Sequence, residues 1–222
     1  MVKIVAISDQ HGQFPDSIPE CDLLIIGGDC CPDSFGPWLA RDYPEIQLEW
    51  FENKFIPWAE AQPVEFVAIT WGNHDWCGHL KPNTHYDNHR IDVISDGPIV
   101  VNGIKFWLTP WSNQFMTWAW MKEHDKLAEV YAKIPEDVDV IVSHQPPQGF
   151  GDLYPNMHTG KLEQVGSSEL LYTIERVKTE VVICGHLHDG HGMYKHQETH
   201  IYNVSLLNDA YQRVFEPTII EI

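Results

Sequence analysis

The sequence predicts an α/β protein, a sandwich of two mixed β-sheets flanked by helices. Three observations lead there. Five short apolar runs have the length of buried strands. Segments of helical periodicity alternate with them, which is the mark of the α/β class. Later strand-like segments are joined by hairpin-type turns, which a purely parallel doubly wound sheet would not contain.

The five runs are residues 2–7, 23–26, 66–69, 138–142 and 181–184. A sixth strand, 104–108, follows Asn102-Gly103. That dipeptide suits the two left-handed positions of a tight hairpin, so 99–101 should pair with it. The tail carries weaker strand signals at 201–204 and 218–222. Leu48, Phe51, Phe55 and Trp58 recur at helical spacing, and Pro57 should kink or break that helix. Trp118, Met121, Leu127, Val130, Tyr131 and Ile134 line a second helix ended by Pro135. Leu170, Leu171, Ile174 and Val177 line a third, with Ser167 as its N-cap. These stripes are core faces.

With 222 residues and 43% hydrophobic content, the chain reads as one domain, 1–222, able to bury a sizeable core. Nine Trp argue against disorder. The balance of 14 Lys+Arg against 32 Asp+Glu gives a net charge of −18. That speaks against long nucleic acid, which is held by displacing counterions with basic side chains. It also speaks against anionic membranes, and no apolar run approaches a membrane span. An anionic substrate would need positive charge from elsewhere, and a bound metal cluster is the evident source. Cys21, Cys30, Cys31, Cys77 and Cys184 are odd in number and form no CxxC pair. Reduced thiols in a cytoplasmic protein are expected, not a disulfide framework or a thiolate zinc site. The first residues run straight into a strand and lack the pattern of a signal peptide.

Each buried run is followed at once by residues of metal-ligand type. They are Ser8-Asp9-Gln10-His11-Gly12, Gly27-Gly28-Asp29, Gly72-Asn73-His74-Asp75, Ser143-His144-Gln145-Pro146-Pro147 and Gly185-His186-Leu187-His188. Functional groups in open α/β sheets gather beyond the carboxyl ends of the strands, so five exits should converge on one cleft. The inventory is Asp9, His11, Asp29, Asn73, His144, His186 and His188: oxygen and imidazole donors with no thiolate, suited to Mn, Fe, Zn or Ni. Seven side chains exceed the needs of one tetrahedral ion and suffice for two if a carboxylate bridges. Paired ions are a standard device for hydrolysing phosphate esters. Gly28 and Gly72 should let the backbone turn sharply. His186 and His188 should place two imidazoles on one side of an extended segment. Any one block alone could be an ordinary polar loop; it is their order, each after its own buried strand, that carries the argument.

These blocks, in this order, resemble the calcineurin-like metallophosphoesterase superfamily. Thr109-Pro110-Trp111-Ser112-Asn113-Gln114-Phe115 with Trp118-Ala119, and Gly166-Ser167 before a helix, resemble its metallophosphoesterase-domain-containing branch, itself similar to class III cyclic nucleotide phosphodiesterases. The resemblance implies a four-layer sandwich and two divalent ions, manganese first, with Fe, Zn, Ni or Mg as alternatives. It implies one ion on Asp9, His11, Asp29 and His188, and a second on Asp29, Asn73, His144 and His186, with Asp29 bridging. His74, beside Asn73, would face the scissile phosphate without binding metal, and Asp75 would orient its ring. A metal-bridging hydroxide would attack phosphorus while Asn73 helps position the phosphate. All nine positions match. Two departures count against neighbouring branches. Cys30-Cys31-Pro32-Asp33-Ser34 replaces the Asp-Arg-Gly element of serine/threonine phosphatases, and Pro32 stands where purple acid phosphatases place a Tyr ligand.

The expected partner is a small phosphoester, a cyclic nucleotide diester by the resemblance. Phosphomonoesters, dinucleoside polyphosphates and nucleic-acid ends are the alternatives within enzymes, and a non-catalytic scaffold the alternative outside them. His79, His85 and His89 follow the Gly-Asn-His-Asp block and could rim the cleft. Trp71, Trp76 and Trp111 suit core packing first and base stacking second.

Overall fold

The computed structural model describes residues 1–87, 90–156 and 158–222. In the first sheet, β1 (Lys3–Ile7), β2 (Cys21–Ile26), β3 (Val64–Ile69) and β5 (Ile91–Val93) run parallel, with Val5 opposite Leu24 and Leu24 opposite Val67. Beyond β5, β4 (Thr84–Tyr86) is added antiparallel at the edge. The second sheet contains β6 (Gly97–Val101), β7 (Ile104–Thr109), β10 (Val140–Ser143), β13 (Val181–Cys184), β14 (Gly192–His196) and β15 (Thr199–Asn203), in the order β14-β15-β13-β10-β7-β6. Two short ribbons lie outside the sheets: β8 (Ser112–Asn113) with β9 (Met121–Lys122), and β11 (Leu153–Pro155) with β12 (Leu162–Gln164). The tail returns as β16 (Thr218–Glu221), antiparallel to β1 at the other edge of the first sheet.

Both sheets are mixed, and burial explains why they stack. Period-two alternation sends Ile4, Ala6, Leu23, Ile25 and Ala68 of the first sheet against Phe106, Leu108, Val140, Val142 and Ile183 of the second. The opposite faces meet helices. Val5, Ile7, Leu24, Ile26, Val67 and Ile69 pack on Phe51, Phe55, Ile56 and Ala59. Ile141, Val182 and Ile201 pack on Leu127, Val130, Leu170 and Ile174. Strands apolar on both faces are what four layers require.

The helices are α1 (Pro37–Asp42), α2 (Pro44–Trp50), α3 (Ile56–Glu60), α4 (His124–Tyr131) and α5 (Ser168–Val177). Pro57 does not break its helix. A π-helical turn over Phe51–Phe55 joins α2 to α3, and the wider turn absorbs the missing N–H and the ring. The helix expected from Trp118 onward starts only at His124. Trp118–Trp120 are held elsewhere: Ala119 N donates to Asn73 O at 3.0 Å, and Trp120 Nε1 to Asp75 O at 3.1 Å. These tertiary bonds override the local periodicity. Ser167 caps α5, its Oγ accepting from Leu170 N at 3.1 Å. The Asn102-Gly103 hairpin forms as expected, at φ 51° and 85°, between β6 and β7. Among the described residues, no helix is long and apolar enough to cross a membrane.

Candidate metal centre

β1, β2, β3, β10 and β13 each end in a loop that carries ligand-type residues to one cleft at the strands' carboxyl ends. The turns are sharp. Asp9, His11, Asp29 and His186 all adopt left-handed backbone, at φ 55°, 44°, 52° and 68°. Such positions cost about 1 kcal/mol or more each in a non-glycine residue and persist only where neighbours hold them. Here Asp9 N donates to Gly28 O at 3.0 Å, and His11 N to Asp29 O at 2.9 Å. His186 N donates to both oxygens of Asp9. Since His186 is left-handed, the 186–188 segment is not extended, and its two imidazoles go to different groups. The two glycines differ as well. Gly28 has φ +103°, and a Cβ there would meet Trp71 O at 2.6 Å. Gly72 serves by leaving room rather than by turning, because its Cβ would stand 2.2 Å from Asp29 Oδ1.

The structure brings all seven predicted ligand side chains together. Asp9, His11 and His188 form one group, and Asp29, His144 and His186 another. In the first, His11 Nε2 faces His188 Nε2 at 3.3 Å, and His188 Nε2 is 3.6 Å from Asp9 Oδ1. In the second, His144 Nε2 is 2.9 Å from Asn73 Oδ1. Asp29 joins the two, since its Oδ2 lies 3.8 Å from His11 Nε2 and 3.3 Å from His144 Nε2. Backbone carbonyls fix two of the rings: His144 Nδ1 donates to Gly27 O at 2.9 Å, and His188 Nδ1 to Asn208 O at 3.1 Å. That leaves each Nε2 lone pair turned to the centre, the usual outer support of a metal-binding imidazole. Ser205 Oγ donates to Asp9 Oδ2 at 2.6 Å.

The electrostatics match the donor set. Burial pushes the Asp9 and Asp29 carboxyls up, but the imidazoles around them prevail and hold both below the usual carboxylate range. Burial opposes charge on His144 and His188 too, yet Asp29 lifts His144 to about 9, and Asp9 lifts His188 to about 9. His186, buried and beside the His144 charge, falls to about 3. Its Nδ1 is shut off from solvent and has no hydrogen-bond partner. An orphaned buried imidazole nitrogen beside two ionised carboxylates is what a divalent cation satisfies. The residues present therefore fit two such ions, the first on Asp9, His11, His188 and Asp29, the second on Asp29, Asn73, His144 and His186.

His74 stands beside this set. Its N donates to Asp29 Oδ1 at 2.7 Å, and its ring stacks on Trp118 at 4.3 Å. Asp75 does not orient that ring. The Asp75 carboxylate accepts from Gly72 N, Cys30 N and Cys31 N at 2.9, 3.2 and 2.9 Å, and so clamps the 72–75 loop to the 29–31 loop. Burial and the Asp29 charge push its pKa up despite those bonds. The group that orients His74 is Asp33, whose Oδ1 accepts from His74 Nδ1 at 2.7 Å while Oδ2 stands 3.0 Å from His11 Nδ1. Burial raises the Asp33 carboxyl, but the two imidazoles bring it below the usual range. Its only sequence signal was an acidic residue four positions after Asp29. Tyr211, also unforeseen, sets its ring edge-on to both His11 at 4.7 Å and His188 at 5.2 Å.

The remaining side chains sit apart from the centre. Trp71 is 1% exposed in the core, and Trp76 and Trp111 pack against it. His79 stacks on Trp120, and His85 pairs with Asp92. His89 lies outside the described residues. All five cysteines are unbridged and buried.

A sandwich of two mixed sheets with a paired metal-ligand cradle at the strand exits defines a metal-dependent phosphoesterase fold, and the chain belongs to the calcineurin-like phosphoesterase family, whose pattern matches residues 2–190. It is 28% identical to human metallophosphoesterase domain-containing protein 1, over 99% of this chain and 71% of that protein. A UPF0046 protein of Caenorhabditis elegans is 32% identical over 100% of this chain and 60% of its own length. The crystal structure of a phosphopantetheinyl hydrolase from Mycobacterium tuberculosis shares the fold, with a TM-score of 0.52 at 13% identity, covering 94% of this chain and 90% of that one.

Proposed function

We propose that the protein hydrolyses phosphodiester bonds of small nucleotides, cyclic ones first, using two divalent ions, manganese the first choice. The observation that carries this is Asp29 Oδ2, turned to His11 on one side and His144 on the other. When bound, the two ions supply Lewis acidity and bring the pKa of water near neutrality. The protein's own residues do the rest. Asp9, Asp29, Asn73 and the four imidazoles place the charge. Asn73 also contacts the phosphate. His74 has its Nδ1 committed to Asp33, so Nε2 is the nitrogen left to face a phosphate or leaving-group oxygen. Asp29 and Asp33 raise its pKa against burial, which favours an imidazolium able to donate a proton.

The preference for a diester rests on charge. The site carboxylates pair with imidazoles and backbone amides rather than with Lys or Arg, in a chain of net charge −18. A singly charged diester meets less repulsion there than a doubly charged monoester. The same argument disfavours long nucleic acid and anionic membrane surfaces as partners.

The test starts from metal-free protein. Mn, Zn, Fe, Ni and Mg are added back singly, and 2′,3′-cyclic AMP, 3′,5′-cyclic AMP, bis-p-nitrophenyl phosphate and p-nitrophenyl phosphate are compared. Diester turnover should exceed monoester turnover, and Asp29→Ala should lose bound metal and turnover together. Monoester preference replaces the reading with a phosphomonoesterase. Metal binding without turnover on any ester leaves a scaffold.

A further inference from the structure

The loop between β8 and β9 carries apolar surface without a packing role. Phe115 and Met116 are 60% and 58% exposed. Two such side chains next to each other and beside a functional centre make an apolar patch of the kind that marks a ligand-binding surface. The Phe115 ring lies 6.0 Å from the His186 ring, itself part of the metal cradle. Three residues on, Trp118 stacks on His74, and its Nε1 donates to Met116 Sδ at 3.4 Å. The centre therefore sets the position of this loop. On the loop's flank, a recess of about 630 Å³ opens between residues 114–117 and 123–125, with Phe115 in its wall. That volume lies in the range of small-ligand sites. Among the described residues, Phe115 is thus the one ring that borders both the cradle and the recess. Trp118 already gives a face to His74, and Tyr211 packs against His11 and His188.

We infer that Phe115 is the platform on which the substrate's nucleobase stacks while its phosphate sits at the metal centre. This rests on the nucleotide reading above and deepens it. Every nucleobase has a π-face, and stacking on an aromatic side chain needs no cationic group, which suits a site whose carboxylates pair with imidazoles. The base hangs one sugar away from the phosphate, on the recess side of Phe115. The platform selects nucleoside phosphates over sugar or alkyl phosphates without choosing strongly among bases.

The experiment is a calorimetric titration of the manganese-loaded protein with adenosine 5′-monophosphate and with ribose 5-phosphate, which differ by the base. The wild type should bind the nucleotide at least about tenfold more tightly, the usual worth of one stacked base. In Phe115→Ala the two affinities should come within about twofold of each other, and Phe115→Tyr should keep the difference. Equal affinities in the wild type, or an unchanged ratio in Phe115→Ala, overturn the platform. A Phe115-dependent preference in a protein that cleaves no diester leaves the platform and removes the phosphodiesterase reading. Diester cleavage with no such preference does the reverse.

Discussion

At the scale of single residues, the chemistry turns on imidazoles held by carboxylates. His74 is the proton donor of the proposed reaction, so His74→Ala should keep its metal content and lose about 10²–10⁴ in turnover. Unchanged turnover removes it from the mechanism. Asp33 acts through His74 and is a positioning residue. It raises the His74 pKa, so Asp33→Asn lowers it. A general acid works only below its pKa, so the alkaline limb of the pH–rate profile should move to lower pH in Asp33→Asn. The His74 Cε1–H resonance should titrate earlier in step. A profile that only drops in height would make Asp33 merely structural. Without metal, His144 and His188 titrate near 9 and are charged at neutral pH, whereas His186, near 3, is neutral. Ligation needs neutral imidazoles, so loading should release about two protons at pH 7.5 and metal affinity should climb as pH rises toward 9. Calorimetry in buffers of different ionisation enthalpy counts them; a count of zero means that these two rings do not ligate.

At the scale of elements, loops that build the centre and helices that support it respond differently to substitution. The Gly72 Cα faces the bridging carboxylate, so Gly72→Ala should displace Asp29 and remove bound metal along with activity. Full metal content in that variant, by atomic absorption, would show that the 72–75 loop has room the structure denies it. Ser167→Ala loses the cap of α5, worth about 1 kcal/mol, together with the Oγ bond to Glu169. In a chain of this length that lowers Tm by about 2–4 °C, with metal content unchanged. The two variants separate damage to the cradle from damage to the scaffold.

At the scale of the molecule, the centre is a joint between two sheets. Asp9 and His11 follow β1, Asp29 follows β2 and Asn73 follows β3, all of the first sheet; His144 follows β10, and His186 and His188 follow β13, of the second. Ions on both sides of that joint bind the folded chain and not the unfolded one. Free metal at a thousandfold excess over Kd adds about 4 kcal/mol for each ion held, on the order of 10 °C per ion at 2–4 °C per kcal/mol. Scanning calorimetry with chelator and with excess manganese should show that difference. A shift under about 2 °C would mean that the seven side chains do not hold metal across the joint.

The strands and their ligand-bearing exits were legible in the sequence because both are local. Apolar runs of strand length announce burial on both faces, and a ligand-type residue directly after such a run must lie at a strand end. The layered α/β class followed from the same alternation. What ties residues distant in sequence was settled only by the tertiary structure. Asp75, next in the chain, was the expected partner of His74, but Asp33 takes that role because backbone amides of two loops have already claimed Asp75. Trp118 obeyed helical periodicity, yet stacking on His74 held it out of α4. Pro57 should have broken a helix, and a π-turn carried the chain past it. Local pattern decides where the chain is buried and where it turns; partners separated by tens of residues are chosen by packing, which no window of sequence contains.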